Sequence, residues 1–233
     1  RENNEKMRQE FTANVSHELK TPLTSISGYA ELIETGIAKP ADIPDFARKI
    51  HGEATRMIQL VNDILQLSHL DNVSETGSEP VMETVDLLEV AKDCVERQKL
   101  NARHAYITLT YMGESALVEG NRQLLDELCQ NLCDNAIRYN RPGGKVQLVT
   151  TCSRDGHCSL TVADNGIGIP REAQASVFER FYRVDKSRSK ATGGTGLGLA
   201  IVKHIARIHN ARIKLESQVD KGTTITVTFP TAR

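Results

Sequence analysis

The N-terminal part of the chain carries apolar residues at the three- and four-residue spacing of amphipathic helices. The apolar seam of a first helix, over residues 1–36, consists of Phe11, Val15, Leu19, Leu23, Ile26, Ala30 and Ile33. The seam of a second helix, from about Pro44 to Leu70, consists of Phe46, Ile50, Ala54, Met57, Val61, Ile64 and either Leu67 or Ser68. Gly36 and two prolines interrupt the pattern between the helices, so we expect a short loop and an antiparallel hairpin. Because one hairpin cannot bury both seams, the pattern predicts a homodimer in which two hairpins form a four-helix bundle.

Beyond a polar break at residues 72–80, which we take as a linker, the pattern changes to a mixture of helices and strands. The predicted helices span residues 85–100, 122–139 and 198–209, and the predicted strands span 106–111, 145–152, 159–163, 211–217 and 223–229. Such a mixture is typical of an α/β sandwich with an antiparallel or mixed sheet. We therefore expect two domains, an all-α hairpin over residues 1–72 and an α/β domain over residues 81–233.

Composition and charge narrow the function classes. The chain has 233 residues, 39% of them hydrophobic and 25% charged, and a formal net charge of -1. This charge gives no electrostatic reason to expect binding to nucleic acid or to an anionic membrane. No apolar run approaches the roughly 20 residues that span a bilayer. The five cysteines are odd in number and contain no CxxC pair, so we expect reduced cysteines packed as small apolar side chains.

His17 is a candidate nucleophile on the first helix. It lies two residues from each of the seam residues Val15 and Leu19, which places its side chain on the solvent side. Glu18 is adjacent, and Thr21 lies one turn further along on the same side. A carboxylate that binds one ring nitrogen of a neutral imidazole leaves the other nitrogen free to attack. From these residues alone, an ordinary surface histidine is nevertheless the favoured interpretation. Within the same helix, Pro22 is expected to produce a bend.

The predicted helix at 122–139 carries a polar stripe on an otherwise apolar surface. Glu127, Asn131, Asn135 and Arg138 recur at spacings of four, four and three residues. Asparagine oxygens suit Mg²⁺, and Arg138 supplies positive charge for a phosphate. Tyr139 could cover an aromatic base. An exposed polar helix face explains the two asparagines equally well when they are considered alone.

Two glycine-containing segments further along the chain are candidate ligand-binding loops. Asp164–Pro170 comes directly after a predicted strand, where an aspartate can accept a hydrogen bond from the exocyclic amine of adenine and glycines let a ligand approach the backbone. Gly193–Leu199 opens a predicted helix, whose amides and dipole favour an anion. Each segment also has a simpler interpretation, because Asp-Asn-Gly is common in turns and a single GxGxG is weak evidence. The second segment is neither a Walker loop nor a dinucleotide-binding fingerprint.

The segment from Ser16 to Leu23, Ser-His-Glu-Leu-Lys-Thr-Pro-Leu, resembles the phosphoacceptor box of sensor histidine kinases. This resemblance implies that His17 accepts the phosphoryl group and that Glu18 acts as the acid or base. It also implies that Thr21 positions the water that dephosphorylates the partner protein.

The order of motifs further along resembles the ATP-binding half of the same family, with a Bergerat or GHKL-type fold. An N box lies at residues 131–136, a G1 box at 164–168, an F box at 178–183 and a G2 box at 194–199. The resemblance implies ATP and Mg²⁺ as cofactors, Asn135 as the Mg²⁺ ligand, Asp164 as the adenine-binding residue and a mobile lid over residues 186–193. The expected nucleotide-binding residues are Asn131, Asn135, Arg138, Tyr139, Asp164, Gly166, Gly168, Arg183, Gly194, Thr195, Gly196, Leu197 and Gly198. Arg138 replaces the lysine that is usual in the N box, so phosphate contacts should persist with altered geometry.

These motifs together predict an ATP-dependent autokinase that phosphorylates His17 and passes the phosphoryl group to an aspartate of a response-regulator receiver domain. A phosphatase activity toward the same regulator is expected from Thr21. Two alternatives are a conformational ATPase of the gyrase and MutL type, and a phosphatase-biased module in which nucleotide only sets conformation. The resemblance is greatest to a subgroup of membrane-anchored sensors that includes WalK and PhoR. We therefore expect a cytoplasmic kinase core whose membrane anchor and sensor lie upstream of Arg1.

Overall fold

The computed structural model describes residues 2–76, 80–185 and 193–231. The chain begins with two long helices, α1 (Glu2–Glu34) and α2 (Ile43–Thr76), which pack against each other. The turn after α1 forms at Gly36, whose φ of 70° lies in the left-handed region. There the amide of Ala38 donates to the carbonyl oxygen of Leu32 at 2.9 Å. The predicted hairpin is confirmed, and α2 extends six residues beyond Leu70.

The rest of the described chain forms an α/β unit with two sheets. Its helices are α3 (Leu87–His104), α4 (Arg122–Arg138) and α5 (Gly198–Ile208). Its strands are β1 (Glu83–Asp86), β2 (Thr108–Gly113), β3 (Leu117–Gly120), β4 (Lys145–Cys152), β5 (Cys158–Asp164), β6 (Arg212–Gln218) and β7 (Gly222–Thr228). A short 3₁₀ turn spans Arg171–Ala173.

The main sheet has five strands in the order β2-β4-β5-β7-β6. The β2 and β4 strands pair in parallel and the other neighbours pair antiparallel, so of the two expected alternatives, an antiparallel or a mixed sheet, the structure has the mixed one. Strands β1 and β3 form a separate two-stranded antiparallel sheet that the pattern did not predict. Strand β2 begins two residues later than predicted, at Thr108.

The three helices of this unit cover one face of the main sheet. Helix α4 packs between α3 and α5 and also contacts β4 and β5. Its apolar residues Leu125, Leu128 and Leu132 are buried, as predicted, against strand residues such as Leu148 and Leu160. This arrangement leaves the polar stripe of α4 at the edge of the core, facing the loops that follow β5 and precede α5.

Side-chain caps explain where two helices begin. The Asp86 carboxylate accepts from the amide of Leu88 at 2.9 Å and caps α3. The Asn121 side chain accepts from the amide of Leu124 at 3.1 Å and caps α4. Because Asp86 is the cap, α3 starts at Leu87 and not at the predicted Val85, which belongs to β1.

The expectation that all five cysteines are reduced is wrong. Cys152 and Cys158 form a disulfide between β4 and β5. The register places these two residues directly opposite each other, which the number and spacing of cysteines could not show. Cys94, Cys129 and Cys133 are free and buried, as expected for small apolar side chains.

The hairpin packs against the α/β unit along α2 and the F-box segment. Leu67 and Leu70 of α2 are almost completely buried. His204 of α5 lies 3.0 Å from the carbonyl oxygen of Leu70, and Phe181 contacts Phe11 of α1 with ring centroids 5.7 Å apart. Arg180 binds Asp71 at 2.8 Å. None of the helices in the described ranges is both long and apolar enough to cross a membrane.

Candidate active site

A cavity of about 370 Å³ lies where α4, the loop after β5, the turn before α5 and helix α2 meet. The cavity collects polar groups from segments that are distant in the sequence. Its lining residues include all of the predicted nucleotide-binding residues except Gly166 and Leu197. Its size is that of a small-molecule site.

The α4 stripe forms one wall of this cavity. The Asn131 side-chain amide donates to the carbonyl oxygen of Glu127 at 3.0 Å, which turns the Asn131 oxygen toward the N-terminus of α5. A Cβ at Gly198 would lie 3.0 Å from that oxygen and 3.9 Å from the side-chain nitrogen of Asn135. The two amides therefore converge on the glycine turn. Amide oxygens of this kind can hold Mg²⁺ together with phosphate oxygens. Among the described residues, no group of three or more His, Cys, Asp or Glu side chains is arranged to hold a metal ion.

Asp164 ends β5 and forms the opposite wall. Its Oδ1 accepts from the amides of Gly166 at 2.8 Å and Thr223 at 3.2 Å. Both bonds go to the same oxygen, so Oδ2 can accept from a ligand such as the exocyclic amine of adenine. Burial raises the pKa of Asp164, although the two amide bonds oppose the shift.

Gly168 holds the loop after β5 in place. Its φ of 69° lies in the left-handed region, and a Cβ there would come within 2.0 Å of the Gln218 carbonyl oxygen. This position therefore requires glycine both for its conformation and for space. Gly166 packs against Tyr139 at the end of α4, where a Cβ would lie 2.4 Å from the Tyr139 carbonyl oxygen.

The glycine turn before α5 joins the F-box segment. The amide of Phe181 donates to the carbonyl oxygen of Gly196 at 2.8 Å, and the amide of Leu197 donates to the Thr195 hydroxyl at 3.3 Å. The Leu197 side chain is fully buried in the core and does not line the cavity. Residues 186–192, which include most of the predicted lid, lie outside the described residues.

The structure connects the phosphoacceptor box to the cavity through Glu18 and Arg183. The Arg183 guanidinium donates through the same Nη2 to a Glu18 carboxylate oxygen at 2.8 Å and to the carbonyl oxygen of Thr195 at 2.9 Å. The Arg183 side chain is only 4% exposed and that of Glu18 is 22% exposed. Arg56 of α2 lies 3.6 Å from the same Glu18 oxygen. The carboxylate expected to serve His17 is therefore held between two arginines.

His17 and Thr21 lie outside the cavity. The His17 side chain is exposed, as the helical phase predicts. The Thr21 hydroxyl donates to the carbonyl oxygen of His17 at 3.2 Å. In this arrangement the two side chains present a polar surface on α1 next to Glu18.

Asp63 of α2 is a residue of this site that the sequence motifs did not predict. Its carboxylate is only 6% exposed and accepts from the Thr195 hydroxyl at 2.6 Å and from the Gln59 side-chain amide at 2.7 Å. Asp63 and Gln59 both line the cavity. A signal was present in the sequence, because Asp63 interrupts an apolar stripe of Leu60, Leu67 and Leu70 at helical spacing.

Asp63 also affects the ionisation of the α4 stripe. Burial raises the pKa of Asp63, despite the opposing hydrogen bonds from Thr195 and Gln59 and the nearby charge of Arg138. Burial, reinforced by the charge of Asp63, raises the pKa of Glu127 to about 7.

Two family models match the chain. The His Kinase A (phospho-acceptor) domain matches residues 7–73, and the histidine kinase-, DNA gyrase B-, and HSP90-like ATPase matches residues 120–233. A helical hairpin that matches the phospho-acceptor domain, followed by this ATPase fold, is the architecture of a histidine kinase core. The chain belongs to the sensor histidine kinase family.

Individual relatives agree with this assignment. The sensor-like histidine kinase SenX3 of Mycolicibacterium smegmatis is 40% identical over 227 residues, which cover 97% of this chain and 58% of SenX3. The sensor protein kinase WalK of Staphylococcus saprophyticus is 40% identical over 228 residues, 97% of this chain and 37% of WalK. The chain thus spans less than two thirds of the length of SenX3 and little more than a third of the length of WalK. The structure of histidine kinase ThkA in complex with response regulator protein TrrA has a TM-score of 0.75 at 22% identity, covering 99% of this chain and 64% of that chain, which shows the shared fold.

Proposed function

We propose that this chain is the kinase core of a two-component sensor, in which His17 is phosphorylated from ATP bound in the cavity. The observation that carries this proposal is the contact between Glu18, adjacent to His17, and Arg183 of the cavity at 2.8 Å. Through this contact the proposed acceptor box lies one side chain away from the cavity that we propose binds the nucleotide, within the same chain. In this proposal residues 1–72 carry the acceptor and residues 81–233 bind the nucleotide.

The residues around the cavity have separate roles in nucleotide binding. Asp164 accepts from the adenine amine, because its Oδ1 is already fixed by two backbone amides. The turn from Gly194 to Gly198 receives the phosphates at the N-terminus of α5, with Arg138 supplying positive charge. Asn135, beside Asn131, would hold Mg²⁺, which neutralises charge on the transferring phosphoryl group.

The transfer step uses the α1 residues. A ring nitrogen of His17 attacks the γ-phosphorus, the bond from that phosphorus to the β–γ bridging oxygen breaks, and ADP leaves. The proton on the other ring nitrogen passes to Glu18, which acts as the base. To accept this proton, Glu18 must leave its ion pair with Arg183. The Arg183 guanidinium is then free to bind the phosphates of the incoming ATP or of the departing ADP.

The proposed partner is the receiver domain of a response regulator. Support comes from the similar fold of ThkA, whose structure contains a response regulator protein. The exposed His17 and the half-buried Thr21 lie on the side of α1 from which such a domain could approach. A receiver aspartate would take the phosphoryl group from His17, and the Thr21 hydroxyl would position the water for the reverse, hydrolytic activity.

We also propose that the chain forms a homodimer through its hairpin. Ile58, Val61 and Leu65 of α2 lie on one face at spacings of three and four residues and are 63%, 41% and 63% exposed in the single chain. Leu23 of α1 is 56% exposed. A second hairpin that covers these side chains would complete a four-helix bundle.

A labelling experiment tests the kinase assignment. We expect incubation with γ-labelled ATP and Mg²⁺ to label the protein with an acid-labile, base-stable phosphate. We expect His17→Gln to abolish the label while nucleotide affinity changes little, because His17 does not line the cavity. The matched control is His51→Gln, an exposed histidine on α2. Acid-labile label that survives in His17→Gln would refute the assignment, and ATP hydrolysis without any label would favour a conformational ATPase.

A further inference from the structure

Asp63 brings a negative charge from the hairpin into the turn that is proposed to hold the phosphates. The Asp63 carboxylate accepts a hydrogen bond from the Thr195 hydroxyl at 2.6 Å, and both residues are buried. The same hydroxyl oxygen accepts a hydrogen bond from the amide of Leu197. The Thr195 hydroxyl is therefore already engaged both as a donor, to Asp63, and as an acceptor. The Asp63 carboxylate therefore already occupies the Thr195 hydroxyl, which is a hydrogen-bond donor of the glycine turn.

The surroundings of Asp63 offer little solvent to screen its charge. The residue is 6% exposed and receives a second hydrogen bond from Gln59 on its own helix. Arg138 is the cation whose charge acts on it, while Glu127 and Asp134 on α4 are carboxyl groups whose pKa values are raised by burial and further by the charge of Asp63. Phosphate groups that enter this end of the cavity would meet the same poorly screened negative charge.

We propose that Asp63 controls the affinity of the cavity for nucleotide phosphates, because its carboxylate competes with them for the turn around Thr195. The inference rests on the proposed function, since it assumes that the cavity binds nucleotide. It assigns a residue of the phosphoacceptor hairpin to the nucleotide site. By reciprocity, a triphosphate that binds at the turn weakens the contact between α2 and Thr195, and a tighter contact weakens triphosphate binding.

The charge can be removed with little change in shape. In Asp63→Asn the side-chain oxygen can still accept from Thr195, but the negative charge is lost. At an effective dielectric constant of about 20, removing one like charge close to the phosphates changes affinity by about tenfold or more. We expect the affinity for ATP and for ADP to rise about tenfold, and the affinity for adenosine, which has no phosphate, to stay the same.

The experiment is isothermal titration calorimetry of the whole chain with ATP, ADP and adenosine, with and without Mg²⁺. Unchanged adenosine binding also shows that the variant cavity is folded. Asp63→Ala, which removes both charge and hydrogen bond, should show the same preference for phosphorylated ligands. The control is Asp45→Asn, an exposed aspartate at the start of α2 that pairs with Arg48 and Lys49.

The outcomes separate the inference from the proposed function. Equal changes for all three ligands, no change, or weaker ATP binding in Asp63→Asn would overturn the inference while leaving nucleotide binding intact. Weaker binding only in the presence of Mg²⁺ would likewise overturn it, because the carboxylate would then assist the metal. An unmodified protein that binds neither ATP nor ADP would overturn the proposed function and this inference with it.

Discussion

Glu127 should make the folded protein less stable as the pH rises from acidic to neutral. Burial and the charge of Asp63 raise its pKa from 4.5 to about 7, so the folded state keeps this proton to a higher pH than the unfolded chain does. Between these two pKa values the folded state binds more protons, and its free energy of unfolding therefore falls as the pH rises. The full shift corresponds to about 3 kcal/mol at 1.36 kcal/mol per pKa unit. Because the side chain is only partly buried, we reduce this to about 1.5 kcal/mol for solvent screening.

The substitution that tests this reasoning is Glu127→Gln, which mimics the protonated side chain at every pH. Relative to the unmodified protein, the variant should be equally stable near pH 4.5 and gain stability up to pH 7, after which the difference should remain constant. At pH 8 the gain should be about 1.5 kcal/mol, or about 4 °C in Tm for a chain of this size.

The assay is thermal unfolding at a series of pH values. Glu119→Gln, at an exposed position of β3, serves as the control for replacing a surface carboxylate by an amide. Asp63→Asn removes one cause of the Glu127 shift, so it should reduce the gain from Glu127→Gln at neutral pH. A difference between Glu127→Gln and the unmodified protein that is flat from pH 4.5 to 8 would refute the argument.

Two further predictions concern the acceptor box and the loop after β5. Glu18→Ala should strongly depress autophosphorylation, whereas Thr21→Ala should leave it largely intact and slow dephosphorylation of the regulator. Measuring both rates in both variants checks this, and equal losses of both activities would contradict the division of roles. Gly168→Ala should lower the free energy of unfolding by about 2 kcal/mol, because its left-handed φ of 69° and a backbone oxygen 2.0 Å from the new Cβ both oppose it. Gly52→Ala on α2, where nothing lies within 4 Å, should instead be stabilising by about 0.5 kcal/mol or more in denaturant unfolding.

The elements that the sequence pattern predicted are the long or strongly alternating ones. The hairpin, α4 and the β4–β5 pair have enough residues for the helical or strand period to repeat several times. Strands β1 and β3 have four residues each, which allows too few alternations to be recognised. Their pairing depends on a contact across α3, which is a tertiary feature and leaves no local pattern.

In the candidate site, too, contacts between segments distant in the sequence could not be predicted from local patterns. The motifs on α4, after β5 and before α5 predicted residues that the fold brings around one cavity. The motifs did not predict the hairpin's share of that cavity, and the one signal for it was that Asp63 interrupts the apolar stripe of α2. Two long-range contacts join the hairpin to the cavity. Asp63 binds Thr195 across 132 residues of sequence, and Glu18 binds Arg183 across 165. No local sequence pattern indicates that these side chains meet. Their meeting depends on how the hairpin docks on the α/β unit.

Thr195 is where the two helices of the hairpin meet the nucleotide cavity. Its hydroxyl binds Asp63 of α2, and its carbonyl oxygen accepts from Arg183, whose guanidinium also pairs with Glu18 of α1. A shift of α1 relative to α2 must therefore break one of these contacts or move the glycine turn. If the turn holds the phosphates and Glu18 is the base for His17, as proposed, the same shift that frees Glu18 from Arg183 also alters how the nucleotide is held. Release of the Glu18 carboxylate from Arg183 and binding of the phosphates are then coupled through Thr195. This coupling needs no longer path through the core of the α/β unit.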